Sequence, residues 1–140
     1  MIAFYCDHLG FQLVSQSEWQ TGSSVIDGIV GLRNSAAKTA VLLAGNLYVE
    51  VFEYHSPVGR PGDPDRPVSD HGYTHFCLDV TDIDAEYRRL AAAGMRFHGP
   101  PPTAADMGGK LRSAYGRDPD GNVIELQEIL DPTYSKRLEL

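Results

Sequence analysis

Two short stretches of the chain place a glutamate inside an alternating apolar pattern. In GNVIELQE (121–128), Glu125 stands between two apolar residues, and in GNLYVEVFE (45–53), Glu50 does the same. Alternation of this kind is typical of a β-strand with one buried face. Because both stretches also open with Gly-Asn, they indicate that the second half of the chain repeats a feature of the first.

The first half of the chain predicts one short helix and four strands. Apolar residues recur at helical spacing in residues 2–9, and Gly10 follows as a C-cap. The predicted strands are FQLVSQ (11–16), GIVGLR (28–33), KTAVLLA (38–44) and LYVEVFEY (47–54). Residues 55–72 carry four prolines and three glycines, which is typical of a linker.

The second half predicts a strand, a helix and further strands in the same order. The helix in DIDAEYRRLAAAG (82–94) is capped by Thr81 or Asp82. The predicted strands are YTHFCLDV (73–80), MRFHG (95–99), LRSAYGRD (111–118) and NVIELQE (122–128). The last two form a hairpin through DPDG, where Gly121 supplies a positive φ. This internal repeat predicts an α+β fold of paired βαβββ modules.

The repeat defines four segments along the chain. The first module covers 1–54, the linker 55–72, the second module 73–130 and a C-terminal tail 131–140.

Strand alternation places three chemically active side chains on the faces that point away from the predicted helices. These are His75, Glu50 and Glu125. Tyr48 and Phe52 flank Glu50 on its face, and aromatic residues around an acid indicate a pocket. The alternative is that each of the three is a solvated residue on an open sheet face. The residues alone leave both interpretations open.

Composition narrows the range of partners. The 140 residues include 12 basic and 19 acidic side chains, for a net charge of −7 and a pI near 5.0. This balance argues against nucleic acid and against an anionic membrane surface as partners. No run of about 18 apolar residues predicts a membrane span, and no signal segment opens the chain, so we expect a cytoplasmic protein. The candidate pocket beside Glu50 predicts a small molecule as its partner.

Four segments together resemble the vicinal oxygen chelate superfamily, the glyoxalase / bleomycin resistance / extradiol dioxygenase group. They are FYCDHLGFQLV (4–14), YVEVFEY (48–54), YTHFCLDVTDIDAEYRRLAAAG (73–94) and YGRDPDGNVIELQE (115–128). The resemblance implies paired βαβββ modules whose strands form a cupped mixed sheet around a divalent metal. The strand that precedes the first helix in the family, and the ligand on it, have no counterpart in this chain.

The resemblance further implies that Glu50, His75 and Glu125 are the metal ligands. Two carboxylates and one imidazole favour Ni, Co, Mn, Mg or Fe over Zn. Glu125 would be both ligand and general base, and Glu50 a second ligand or an opposing base. The implied reaction is glyoxalase I-like or epimerase proton transfer next to a carbonyl, through a metal-bound enediolate.

The proposed enzyme also needs residues that bind its substrate. The predicted substrate-binding residues are Tyr48, Phe52, Tyr73 and Arg112, the last for an anionic tail. An extradiol Fe(II) dioxygenase and a non-enzymatic, bleomycin-resistance-like binding protein are alternatives from other classes.

The missing strand has three explanations: a truncated chain, a strand from a partner, or an incomplete site. Without this strand, the sheet edge that it would pair with exposes unpaired backbone N–H and C=O groups. A second copy of the chain could pair with them, so we expect a homodimer.

Overall fold

The computed structural model describes residues 1–135. They fall into two compact units, the first covering Met1–Pro61 and the second beginning at Gly62. The division lies within the segment predicted as a linker. Both units combine helix and sheet, so the predicted α+β class is confirmed. Among the described residues, none of the helices has the length and apolar character needed to cross a membrane.

The first unit is a three-stranded antiparallel sheet with two short helical segments. Its elements are a π-helical turn at Phe4–His8, β1 at Gln12–Trp19, α1 at Ser24–Val30, β2 at Ala36–Ala44 and β3 at Leu47–Ser56. The strand order is β1-β2-β3, so β2 is the central strand. Alternation along β2 buries Ala40 and Leu42 on one face, and the rings of Phe4, Tyr5 and Phe11 are buried in the same unit.

The prediction of a strand at GIVGLR (28–33) was wrong, because residues 28–30 belong to α1 and residues 31–33 form the turn that follows it. The Ser23 hydroxyl accepts the N–H of Ile26 as an N-cap, and Gly31 ends the helix at a φ of +68°. The Asp27 carboxylate then accepts the N–H groups of Asn34 and Ser35, both at 2.8 Å. These local bonds outweigh the β-propensity of the Ile-Val pair.

The second unit has the complete βαβββ order. Its elements are β4 at His75–Asp79, α2 at Ile83–Ala92, β5 at Arg96–Phe97, β6 at Leu111–Arg117 and β7 at Val123–Ile129. The strand order is β4-β7-β6-β5, with β4 parallel to β7 and the other pairs antiparallel. Asp82 caps α2 by accepting the N–H of Ala85. The fully buried core contains Ile83, Leu90, Ile124 and Leu126.

The predicted hairpin turn between β6 and β7 forms around a buried acid. Asp118 is 1% exposed, and its carboxylate accepts the N–H groups of Asp120 and Asn122 at 2.9 Å. Gly121 has a φ of +90°. The turn also holds the preceding linker, since the Arg117 guanidinium donates to the carbonyl oxygens of Gly121 and Arg66 at 2.9 and 2.6 Å.

Candidate functional site

Three neighbouring strands of the second unit carry a row of reactive side chains across the face opposite α2. Cys77 of β4 pairs with Glu125 of β7, and Glu125 pairs with Tyr115 of β6. His75 lies two residues before Cys77 and therefore shares its face. The row thus gathers an imidazole, a carboxylate, a phenol and a thiol on one side of the sheet.

The imidazole is at the centre of this cluster. His75 Nε2 lies 3.3 Å from Glu125 Oε2 and 3.4 Å from the Tyr115 hydroxyl. The ring centroids of His75 and Tyr115 are 4.8 Å apart. On its other side, His75 Nδ1 lies 2.9 Å from the Thr74 hydroxyl. Both ring nitrogens therefore have a polar partner, and the predicted pair His75 and Glu125 is in direct contact.

Tyr115 is a member of the site that was not among the residues predicted from the sequence. Burial, followed by electrostatic interaction with Glu125 and Cys77, raises the pKa of its phenol above the ordinary value. The phenol therefore stays protonated at neutral pH and can donate a hydrogen bond. Its position was accessible from the sequence, because the DPDG turn fixes the hairpin register that sets Tyr115 opposite Glu125.

This face is not a solvated sheet surface. Val123 and Gln127, the neighbours of Glu125 on the same face of β7, are 7% and 8% exposed. Gln127 Nε2 donates to Asp79 Oδ1 at 2.9 Å, which satisfies a polar group at the edge of the row. The side chain of Glu125 is itself only 17% exposed. Because little water surrounds the Glu125 carboxylate, its electrostatic interactions with the imidazole and with a bound ligand are screened less than they would be on an open surface.

The other predicted acid, Glu50, belongs to the first unit. It is exposed on β3 and alternates with Tyr48 and Phe52, which are 60% and 43% exposed, as the pattern predicted. Its partner on β2 is Val41. The participation of Glu50 in one site with His75 and Glu125 stays a prediction.

An aromatic cluster continues along the same strand of the first unit. The ring of Trp19 lies 6.2 Å from Phe52 and 6.0 Å from Tyr54 in edge-to-face geometry, while Phe52 and Tyr54 stack at 5.8 Å. The indole is held because Trp19 Nε1 donates to the Ser35 hydroxyl at 3.0 Å. Ser35 in turn donates to Asp27 at 2.6 Å. This cluster offers a wall for an apolar or aromatic ligand.

The structure does not bring Arg112 to the face of Glu125. Arg112 pairs with Glu128 and so lies on the opposite face of β6. Its guanidinium binds Asp84 in a bidentate pair at 2.6 and 2.9 Å and donates to the Pro102 carbonyl oxygen at 2.7 Å. Tyr73 is 79% exposed and immediately precedes the β4 region of the site.

The cluster provides two of the donor groups that a divalent cation needs. Among residues 1–135, no three His, Cys, Asp or Glu side chains form a group placed to hold a metal ion. The His75 imidazole and the Glu125 carboxylate are, however, a nitrogen and an oxygen donor in contact on one face. Such a pair suits Mn, Fe, Co or Ni, which accept mixed nitrogen and oxygen ligands.

Comparison with known proteins agrees with this architecture. The family model of the Glyoxalase/Bleomycin resistance protein/Dioxygenase superfamily matches residues 1–126. The uncharacterized protein YaeR of Escherichia coli (strain K12) is 29% identical over 126 residues, which cover 90% of this chain and 83% of YaeR.

Solved structures share the fold at lower identity. A glyoxalase family protein from Bacillus cereus has a TM-score of 0.78 at 22% identity, covering 89% of this chain and 82% of its own. The trypanothione-dependent glyoxalase I of Leishmania major has a TM-score of 0.59 at 18% identity, covering 91% and 75%. The fosfomycin resistance protein FosX of Listeria monocytogenes has a TM-score of 0.55 at 17% identity, covering 91% and 79%.

Proposed function

Because the chain belongs to the Glyoxalase/Bleomycin resistance protein/Dioxygenase superfamily, we propose that it is a metal-dependent enzyme that transfers a proton next to a carbonyl group. The reaction class is that of a glyoxalase I-like lyase or isomerase, or of an epimerase. The observation that supports this proposal is the 3.3 Å contact between His75 Nε2 and Glu125 Oε2 on a half-buried sheet face.

His75 and Glu125 would hold the cation, and Glu50 is proposed as the third ligand. A bound divalent cation would act as a Lewis acid that polarises the substrate carbonyl. The donor set suits Ni, Co, Mn, Mg or Fe ahead of Zn, because it combines one imidazole with carboxylate oxygens.

Glu125 is proposed as the general base. Its carboxylate is 17% exposed, so a C–H proton next to the substrate carbonyl meets a base that is largely shielded from water. Tyr115 remains protonated because its pKa is raised, so its O–H can donate to the oxygen on which negative charge develops. The proton that Glu125 takes would then be returned to the neighbouring carbon, which completes an isomerisation without net change in protonation.

A metal titration tests the ligand assignment. We expect the wild-type protein to bind one equivalent of Co²⁺ or Ni²⁺ in isothermal titration calorimetry. The variants His75→Gln and Glu125→Gln should bind at least about 100-fold more weakly, since each loses a direct ligand. Glu53→Gln is the matched control, because this exposed β3 acid lies next to Phe52, outside the proposed ligand set. Stoichiometric binding that is unchanged in Glu125→Gln would refute the assignment.

A proton-exchange experiment tests the reaction class. The substrate is the hemithioacetal formed from methylglyoxal and glutathione, and the reaction is run in D₂O with Co²⁺ present. We expect conversion to the 2-hydroxy thioester, with about a 10²–10⁴-fold lower rate in Glu125→Gln because the general base is lost. Iron-dependent O₂ consumption with a catechol, in place of this conversion, would assign the protein to the dioxygenase class instead.

A second candidate function is metal-independent binding of an aromatic small molecule. The aromatic cluster of Trp19, Phe52 and Tyr54 favours it, since the exposed Phe52 ring and its two partly buried neighbours form a contact surface for another ring. Ligand binding that persists unchanged in a chelator would support this function over the enzymatic one.

A homodimer is proposed as the working assembly. In the first unit, β3 is an edge strand of its sheet within the described part of the chain, and exposed strand edges tend to be covered by a partner. Light scattering that gives the mass of a single chain across micromolar concentrations would contradict this proposal.

A further inference from the structure

We propose that a cavity beside the candidate site binds a small zwitterion, a molecule that carries a carboxylate and an ammonium group on a short carbon chain, as an α-amino acid does. The guanidinium groups of Arg66 and Arg117 would bind the carboxylate, and the Asp120 carboxylate would bind the ammonium group. This binding site goes beyond the reaction proposed above and depends neither on that reaction nor on a metal ion.

The cavity lies in the second unit, between the linker, the segment that enters β4 and the β6–β7 turn. Its volume is about 210 Å³. Pockets for drug-sized ligands typically measure about 300–1,000 Å³, so this one suits a smaller molecule. Its lining runs from the buried Arg117 and Val123 to the exposed Asp63, Tyr73 and Asp120. A small ligand can therefore enter from the solvent and reach a buried charge.

Arg117 supplies that buried charge. The residue is 7% exposed, and its guanidinium donates to the carbonyl oxygens of Gly121 and Arg66. Within residues 1–135, it forms no ion pair with a carboxylate, and three of its five N–H donors have no partner. Its charge acts on its surroundings, since after burial it is the second cause of the lowered pKa of His98. A buried charge without a counter-ion is costly, and an anionic group of a ligand would supply one.

Arg66 brings a second guanidinium to the same cavity. Its Nη2 donates to the carbonyl oxygens of Asp70 and His71, and its Nε lies 3.8 Å from the Asp70 carboxylate, a long contact for an ion pair. Its Nη1 makes no hydrogen bond to the part of the chain that the structure describes. Two guanidinium groups beside one cavity suit a carboxylate, because each can donate more than one charge-assisted hydrogen bond.

Two carboxylates also line the cavity. Asp63 Oδ1 accepts the N–H of Asp65 at 2.9 Å and is thus engaged in its own turn. The Asp120 side chain makes no hydrogen bond or ion pair with the described residues. Because two positive and two negative side chains share the lining, a simple anion meets repulsion as well as attraction. A zwitterion can pair with both signs of charge, so the lining favours it over a simple anion or cation.

The cavity and the candidate site share one face of the sheet. Val123 pairs with His75 on one side and with Arg117 on the other. Glu125 and Tyr115 lie two residues from Val123 and Arg117 on their strands and therefore point to the same side. A ligand in the cavity thus lies beside the row of reactive side chains.

An NMR titration of ¹⁵N-labelled, metal-free protein measures the binding. Three probes are compared at one ionic strength: L-alanine, propionate, which lacks the ammonium group, and ethylammonium, which lacks the carboxylate. We expect L-alanine to shift the backbone amide signals of Thr74 and Asn122. It should bind at least about 10-fold more tightly than either other probe, since each of them loses one charge-assisted interaction. Propionate that binds as tightly as L-alanine, or a lack of any shift with L-alanine, would overturn the proposal.

Substitutions in the lining test the two charges separately. Arg66→Gln and Asp120→Asn should each weaken L-alanine binding by about 10-fold or more, because each removes one charged partner. Asp65→Asn is the matched control, since this exposed acid of the linker does not line the cavity. Its affinity should stay within about twofold of the wild type, because an exposed ion pair contributes little. The melting temperature of each variant checks that the fold is kept.

The outcomes separate this site from the proposed reaction. Unchanged L-alanine affinity in Asp120→Asn or in Arg66→Gln would refute the zwitterion site. A wild type that binds L-alanine but no Co²⁺ would refute the proposed function and support the site.

Discussion

Substitution of Gly121 by alanine tests how tightly the linker is held against the hairpin turn. A β-carbon at this position would lie 2.5 Å from Pro64 Cα, 2.8 Å from Pro64 Cβ and 2.9 Å from the Pro64 carbonyl oxygen. Two of these three atoms are backbone, so the contact cannot be relieved by rotating a side chain. Either the linker or the turn must move.

The expected loss of stability has two parts. Alanine at a φ of +90° costs about 1–2 kcal/mol, because L-residues disfavour the left-handed region. The overlap with Pro64 adds about 1–3 kcal/mol, the usual cost of overpacking. Gly121→Ala should therefore lower the free energy of unfolding by about 2–5 kcal/mol, a large share of the roughly 5–15 kcal/mol that stabilises a typical domain.

Urea denaturation followed by circular dichroism measures this loss, and Gly109→Ala is the matched control. Gly109 also has a positive φ, +78°, but a β-carbon there meets nothing within 4 Å. The control should lose only the conformational part, about 1–2 kcal/mol. Equal destabilisation in the two variants would show that the turn does not hold Pro64, and would refute the reasoning.

Two further predictions concern acid and base titration. Hydrogen bonds from Ser35 are the main cause of the lowered pKa of Asp27, whose ordinary value is near 3.8. These bonds therefore stabilise the folded protein above pH 3.8. Their contribution is lost as the pH falls through the lowered pKa of the folded state. Because Trp19 is the only tryptophan, its fluorescence should change in this acid range in the wild type, and already at neutral pH in Asp27→Asn; identical emission in both proteins at pH 7 would contradict this. Burial, followed by the charge of Arg117, lowers the pKa of His98, so the unfolded chain takes up the proton first and stability falls as the pH drops below about 6.5. The melting temperature should therefore fall less between pH 7.5 and 5.5 in His98→Gln than in the wild type, and an equal fall would contradict the assignment.

Elements with local signals were predictable from the sequence. The helix α2 is capped by Asp82, one of the two caps proposed from the sequence, and its Ile83 and Leu90 are buried. The turn at Gly121 was also predictable, because this position of the DPDG turn requires a positive φ, which glycine adopts without strain. In both cases the residues that decide the structure are neighbours in the chain.

The helix α1 shows where such reasoning failed. Its apolar residues are β-branched, and Val25 and Ile29 are 72% and 78% exposed, so the pattern carries no buried face that would identify a helix. The bonds that close this segment join Asp27 to Asn34 and Ser35, seven and eight residues later. The hydrogen bond from the Trp19 indole to the Ser35 hydroxyl depends on this placement of Ser35 by Asp27. The fixed position of the indole therefore could not be predicted from the sequence either.

Strand alternation predicted that the side chains of His75 and Glu125 point away from the helix, and the two are in contact on that face. Applied to β6, the same alternation places Arg112 on the other face. Arg112 is three residues from Tyr115 on one strand, so the two side chains point to opposite faces. The Arg112 guanidinium binds Asp84 on the opposite face of the sheet, and the substrate contact expected of Arg112 stays a prediction. Pairing register is thus a better guide to this site than residue type alone.

The internal repeat also separates the roles of the two glutamates. Glu125 and Glu50 hold corresponding positions on β7 and β3, but their partners on the neighbouring strand differ: Tyr115 faces Glu125, whereas Val41 faces Glu50. Glu125 is half-buried with a phenol donor and an imidazole beside it, while Glu50 is exposed. A general base benefits from shielding from water and from a nearby donor that stabilises the charge formed in the reaction. The surroundings of Glu125 therefore suit proton transfer better than those of Glu50, which supports the proposal of Glu125 as the general base.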